Sequence, residues 1–209
     1  FIGLLAGVNN AGTIKNSYAE GEAKGKTVVG GLVGASGVDG PALINNSNAN
    51  VTVIGNDQSS NLPFNSIGGL VAYNNDGTID NSYATGKVVS RQTGKSAGGL
   101  VGENRDTVIN SYSKAEVQSQ GVRAGGLAGW NRGGTINNSY ATGNVNGTER
   151  IGGAVGYNSY ANVNRIHATG NVTGTKDVGG LIGRNTEAET KESYATGDVN
   201  GGEVLGGLV

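Results

Sequence analysis

A short glycine-framed motif, GGLVG or a close variant, recurs along the whole chain, and this recurrence constrains the fold more than any other feature. Its first glycine falls at Gly3, Gly30, Gly68, Gly98, Gly125, Gly152, Gly179 and Gly206, in steps of 27, 38, 30, 27, 27, 27 and 27 residues. A fixed period in this range marks a solenoid, propeller or array, in which each unit covers its neighbour's apolar face. The base period is 27, with inserts of 11 and 3 residues in the second and third units. The units are 3–29, 30–67, 68–97, 98–124, 125–151, 152–178 and 179–205, with a partial unit at 206–209, and together they form a single repeat array over 1–209. Both ends fall inside a motif, so the chain is read as a piece of a longer protein.

Stacking the units on one another separates inward from outward positions. One column reads Ser17, Ser47, Ser82, Ser111, Ser139, Ile166, Ser193, and two residues on lies Ala19, Ala49, Ala84, Ser113, Ala141, Ala168, Ala195. Four further on comes Ala23, Val53, Val88, Val117, Val145, Val172, Val199. The column after each alanine is polar and variable, from Glu20 to Thr196. This alternation describes a strand with one buried face. The small size of the buried residues implies a thin interior with closely approaching walls.

The GGLVG stretch is a second strand. The residue before each glycine pair, the Leu column and the column after it are all apolar, which strict alternation does not allow on one face. Either the glycine pair is a corner or one apolar column faces outward, and the corner is the preferred reading because glycine reaches dihedrals that other residues avoid. Turns follow at NNAGT, NNDGT and NRGGT, with Asn and Gly expected to supply positive φ. A third short strand centres on Ile14, Ile44, Ile79, Val108, Ile136 and Val163. An Asn column then runs Asn16, Asn46, Asn81, Asn110, Asn138, broken by Arg165 and Glu192, and is expected to hydrogen-bond along the stack.

The resulting expectation is an all-β chain folded as a right-handed parallel β-solenoid, or β-helix, with about one 27-residue coil per repeat. At ~4.8 Å per stacked strand, seven coils make a rod of roughly 35 Å. Propeller blades need ~40 residues or more. Periodicity alone does not separate a solenoid from a row of hairpins.

Composition narrows function by exclusion. A net charge of −1 and the lack of a basic stripe argue against nucleic acid and anionic membranes. No apolar run reaches the ~18 residues of a membrane span. With no cysteine, disulfides and thiolate metal sites are excluded.

The pattern GGLVG–x–N followed by G–T–I–x–N–S–Y–A–T–G–x–V–x–G, best kept at 68–86 and 125–147, resembles the GLUG repeat. The resemblance covers essentially the whole chain. It implies an extracellular β-solenoid segment of the kind found in bacterial cell-surface and secreted proteins, including adhesin-like proteins and immunoglobulin A peptidases, where such repeats accompany catalytic domains. The chain departs from the pattern at Asn48, which stands for Tyr, and at Arg165, Ile166 and His167, which stand for Asn-Ser-Tyr.

No catalytic, cofactor-binding or metal-binding residue is expected. The single histidine, His167, excludes a His-Glu-x-x-His zinc site and is read as an exposed replacement for Tyr. The acids at Asp76 and Asp80, and at Glu187, Glu189 and Glu192, are read as solvated turn residues rather than a glycosidase pair. Two features remain as ligand-binding candidates. The aromatic column Tyr18, Tyr83, Tyr112, Tyr140 and Tyr194 would offer rings to a sugar. The insert at 55–66, which carries Phe64, breaks the coil outline, and solenoid insertions often bind.

The function expected is therefore a non-enzymatic structural module, a stalk or spacer of a bacterial extracellular or cell-surface protein, adhesin-like in kind. The alternatives are a carbohydrate- or protein-binding solenoid and the accessory part of a secreted peptidase or polysaccharide enzyme. Expected partners are a glycan or a host-surface protein, with self-association into filaments through uncapped solenoid ends.

Overall fold

The computed structural model describes residues 1–56, 65–91 and 95–209. Phe64 and most of the 55–66 insert lie outside the described residues. Among the described residues there is no helix, and every strand pairing is parallel between equivalent positions of successive coils. The chain is a β-solenoid of about seven coils, each of which contributes to three sheets.

Sheet 1 stacks Ala6–Asn9, Val33–Ser36, Val71–Asn74, Val101–Asn104, Ala128–Arg132, Val155–Ser159 and Ile182–Thr186. Sheet 2 is wider and holds sixteen strands, among them Gly77–Asp80, Tyr83–Ser90, Thr135–Ala141 and Asn162–Ala168. Sheet 3 runs from Val29–Gly30 through Ser66–Gly68, Ser96–Gly98, Arg123–Gly125, Glu149–Gly152 and Lys176–Gly179 to Glu203–Gly206. The short strands follow from the composition. Most strands end at a glycine pair, an Asn- and Gly-rich turn or a positive-φ Asn, and the glycine pair turns the chain onto the next wall.

The glycine pair is the corner between sheet 3 and sheet 1. Sheet 3 ends on the first glycine, the chain bends through the second glycine and the leucine, and sheet 1 begins at the following residue. All three apolar columns are thereby buried: Ile67, Leu70 and Val71 are fully buried, as are Ala97, Leu100 and Val101 in the next coil. They pack on the Ile, Ala and Val columns of sheet 2 in one continuous core that runs the length of the stack. The inward columns expected from alternation are the buried ones, including Ile79, Ala84 and Val88.

The Asn column beside them has a backbone role. Asn16, Asn46, Asn81, Asn110 and Asn138 all have φ between 46° and 52°. Asn tolerates this left-handed conformation better than other non-glycine residues, which accounts for its recurrence at a bend inside sheet 2. Arg165 and Glu192 hold the same conformation at φ 49° and 47° without that advantage. The expected hydrogen bonding along the stack is present in part: Asn138 donates to Asn110 at 2.6 Å, whereas Asn110 donates to Asp80 at 3.0 Å. The neighbouring serines close the bend. Ser82 Oγ donates to the Asp80 carbonyl at 2.7 Å and accepts from the Ser47 backbone N–H at 3.1 Å, and Ser111 and Ser139 repeat the pattern.

The turns after sheet 1 differ in part from expectation. In NRGGT the positive φ falls on Gly133, at 72°, as expected, but in NNAGT it falls on Ala11, at 48°, and no residue of NNDGT has one. Asn9, Asn74 and Asn131 point inward instead, and the last two are fully buried. Asn74 donates to Asn104 Oδ1 at 2.8 Å, Asn104 to Asn131 and Asn131 to Asn158 at 2.9 Å each, and Asn158 to Asn185 at 2.8 Å. Asn131 Nδ2 also donates to the Gly134 carbonyl at 3.2 Å, so the same amide closes its own turn and ties it to the next coil. A buried amide needs such partners, and each coil supplies them to its neighbour. In the second coil Ser36 takes this position, and its Oγ and Asn74 Oδ1 are buried without a hydrogen-bond partner.

Candidate functional site

The aromatic column lies on the outer face of sheet 2, immediately before the inward alanines. Tyr83 and Tyr112 stack at 4.8 Å between ring centroids with 3° between planes, and Tyr112 and Tyr140 at 4.9 Å and 4°. His167 continues the stack, 5.0 Å from Tyr140 and 4.9 Å from Tyr194. The structure therefore brings together four of the five candidate tyrosines and adds His167. Tyr18 stands apart, strongly exposed, because Asn48 occupies the intervening coil. Burial raises the Tyr112 hydroxyl pKa, with the flanking Tyr83 and Tyr140 adding to the effect. Burial likewise lowers the pKa of His167. At this spacing the rings cover each other's faces, so the interior of the row presents ring edges and hydroxyls to solvent. Free faces occur only at its ends.

The other candidates are engaged locally. Asp80 accepts from Asn45 and from Asn110, each at 3.0 Å. Glu187 accepts from the Tyr160 hydroxyl at 3.0 Å, and Glu189 pairs with Lys191 at 2.6 Å. No group of three or more His, Cys, Asp or Glu side chains is placed to hold a metal ion among the described residues.

A second site was not singled out from the sequence. The position just before the buried Asn of sheet 1, buried at Ala35, Tyr73 and Glu103 and half-buried from Trp130 onward, reads Ala35, Tyr73, Glu103, Trp130, Tyr157 and Arg184 in successive coils. Trp130 and Tyr157 stack at 5.9 Å and 14°. The Arg123 guanidinium, from sheet 3, lies 4.2 Å from the Trp130 ring centroid, and that of Arg132 lies 4.8 Å away. Arg105 covers Tyr73 at 5.1 Å and Arg150 covers Tyr157 at 5.4 Å. Three acids answer these charges: Glu103 pairs with Arg105 at 2.8 Å, Glu149 with Arg150 at 2.8 Å and Asp177 with Arg184. Burial lowers the pKa of Arg123, and the neighbouring Arg150 and Arg132 charges lower it further against the pull of Glu103. The one available signal was the chain's only Trp, at a position where no two neighbouring coils agree.

A groove of about 470 Å³ crosses three coils at the edge of sheet 2, lined by Ser90, Arg91, Gln118, Gln120 and Asn146 among others. Gln118 is turned toward its own strand, donating to Glu116 at 2.7 Å.

No helix among the described residues is long and apolar enough to cross a membrane. A family model described as the GLUG motif matches residues 65–89, 120–146 and 174–200, three of the stacked coils. No curated protein matches the chain.

Proposed function

We propose that this chain, a GLUG-repeat protein, serves as a non-enzymatic stalk or spacer in a bacterial extracellular protein of adhesin-like kind. The carrying observation is the uninterrupted register of its three sheets. Parallel ladders, the buried Asn row and the aromatic row all run along the same axis, so each coil is tied to the next by backbone and side chains alike. Such a stack resists bending and holds what lies at either end at a fixed separation. The GLUG match supports an extracellular setting, since these repeats are generally found in extracellular bacterial proteins. His167 has its ring faces against Tyr140 and Tyr194, which supports a structural rather than a proton-transfer role.

Two experiments test this reading. An antibody raised against the chain is expected to label intact cells, and labelling only after permeabilisation overturns the extracellular setting. Exchange of the array for an unrelated solenoid of equal length is expected to preserve surface attachment, as a spacer requires. Loss of attachment in the exchanged protein instead favours the second reading, in which the row from Tyr83 to Tyr194 contacts a glycan or a host protein through its edges and hydroxyls.

A further inference from the structure

We propose that the flank formed by sheets 1 and 3 around Trp130 binds a linear acidic polysaccharide, one carrying carboxylate or sulfate groups. Five of the chain's seven arginines, Arg105, Arg123, Arg132, Arg150 and Arg184, gather on this flank of a chain whose net charge is −1. The three acids among them are already engaged by Arg105, Arg150 and Arg184. Arg132 is exposed and stacked on the indole. A guanidinium held by its face keeps its N–H edge for an anion, in the paired geometry that carboxylate and sulfate accept. Bringing like charges to one ring costs energy that a bound anion offsets.

The arrangement also selects the shape of the ligand. Glu103, Trp130, Tyr157 and Arg184 occupy one register line across successive strands of sheet 1, so the guanidiniums are distributed along the solenoid axis. A polymer with charges at regular short intervals lies along such a line. A nucleic acid is disfavoured because bases require open aromatic faces, and Trp130 is already packed by Arg123, Arg132 and Tyr157. This site lies apart from the sheet 2 aromatic row and does not depend on the spacer role.

Trp130 is the only Trp, so its fluorescence reports this site directly. Titration of the full chain with dextran sulfate or polygalacturonate is expected to give a saturable change that weakens with added salt, while neutral dextran gives none. The stronger of the two acidic polymers identifies sulfate or carboxylate as the recognised group. Arg132→Gln is expected to weaken binding about tenfold with an unchanged melting temperature, the loss of one charge-assisted contact. Arg132→Lys should recover part of the loss, and Arg91→Gln, outside the flank, should bind as the parent does. A lack of response to both acidic polymers overturns the proposal. So does equal weakening by the Arg132 and Arg91 variants, or equally tight binding of an oligothymidylate.

Discussion

Gly126 and Ala141 face each other across the interior with no room between them for another methyl group. A Cβ built on Gly126 would lie 2.6 Å from that of Ala141, and closer still to the Gly153 carbonyl oxygen of the next coil. The same opposition recurs at Gly69 with Ala84 and at Gly153 with Ala168, at 3.0 and 2.8 Å. The second glycine of each pair inside the stack is thus fixed by contact, and the alanine column of sheet 2 is small because a glycine backbone lies against it.

Gly126→Ala is accordingly expected to destabilise the chain by about 2–3 kcal/mol, the upper part of the range for overpacking. Gly133→Ala provides the contrast. Gly133 has φ 72° and no neighbour nearer than 4.0 Å to an added Cβ, so only backbone strain of ~1 kcal/mol applies. Adding Ala141→Gly to Gly126→Ala should leave most of the deficit, because the Gly153 oxygen remains in place. Chemical denaturation of the three proteins measures the differences, and equal midpoints for Gly126→Ala and Gly133→Ala would show that the corner yields.

The inward and outward columns of sheet 2 are separable at adjacent residues. Ala141 is 1% exposed and Thr142 lies at the surface. Ala141→Asp buries a charge without a partner and should cost several kcal/mol. Thr142→Asp should change stability by no more than ~0.5 kcal/mol. Similar melting shifts for the two variants would contradict the assigned faces.

The buried Asn row makes a paired prediction. Removing the Asn131 amide deprives Asn104 of an acceptor and both Asn158 and the Gly134 carbonyl of a donor. Asn131→Ala should therefore cost about 3 kcal/mol, since each buried group left unpaired costs ~1–3 kcal/mol. The reverse change is available at Ser36, which faces the unpartnered Asn74 Oδ1. Ser36→Asn is expected to extend the row by one coil and stabilise by ~1 kcal/mol. A lower denaturation midpoint for Ser36→Asn would show that the turn through Gly37 cannot hold the larger side chain.

What the sequence revealed follows from how each feature repeats. The corner at the glycine pair was partly legible, because three apolar columns in a row contradict a flat strand with one buried face, and the choice between a bend and an outward apolar column was settled by the burial of all three. The Tyr column was legible because its side chain recurs in most coils. The role of Asn81 and its equivalents was half legible: their repetition pointed to a ladder, while the left-handed backbone that selects Asn shows only in the dihedrals. Asn131 and its equivalents resemble ordinary turn residues until the depth of the turn is known. The flank around Trp130 was hidden for the opposite reason. Glu103, Trp130, Tyr157 and Arg184 share a column but no chemistry, and their arginine partners come from another sheet.

His167 makes the stability of the row sensitive to pH. Burial lowers its pKa in the fold below the ordinary 6.5. As pH falls from above 6.5, the unfolded chain takes up the proton before the folded chain does, so acidification favours unfolding. The loss ends once pH passes below the folded pKa, where both states are protonated. His167→Tyr removes this contribution and places a fourth consecutive tyrosine after Tyr83, Tyr112 and Tyr140. The melting temperature of the variant minus that of the parent, measured at matched pH, cancels the titration of carboxylates common to both. That difference is expected to widen on acidification through the window below 6.5 and then to level off. A difference that stays constant across the window would mean that the stacked imidazole protonates as freely as it does in the unfolded chain.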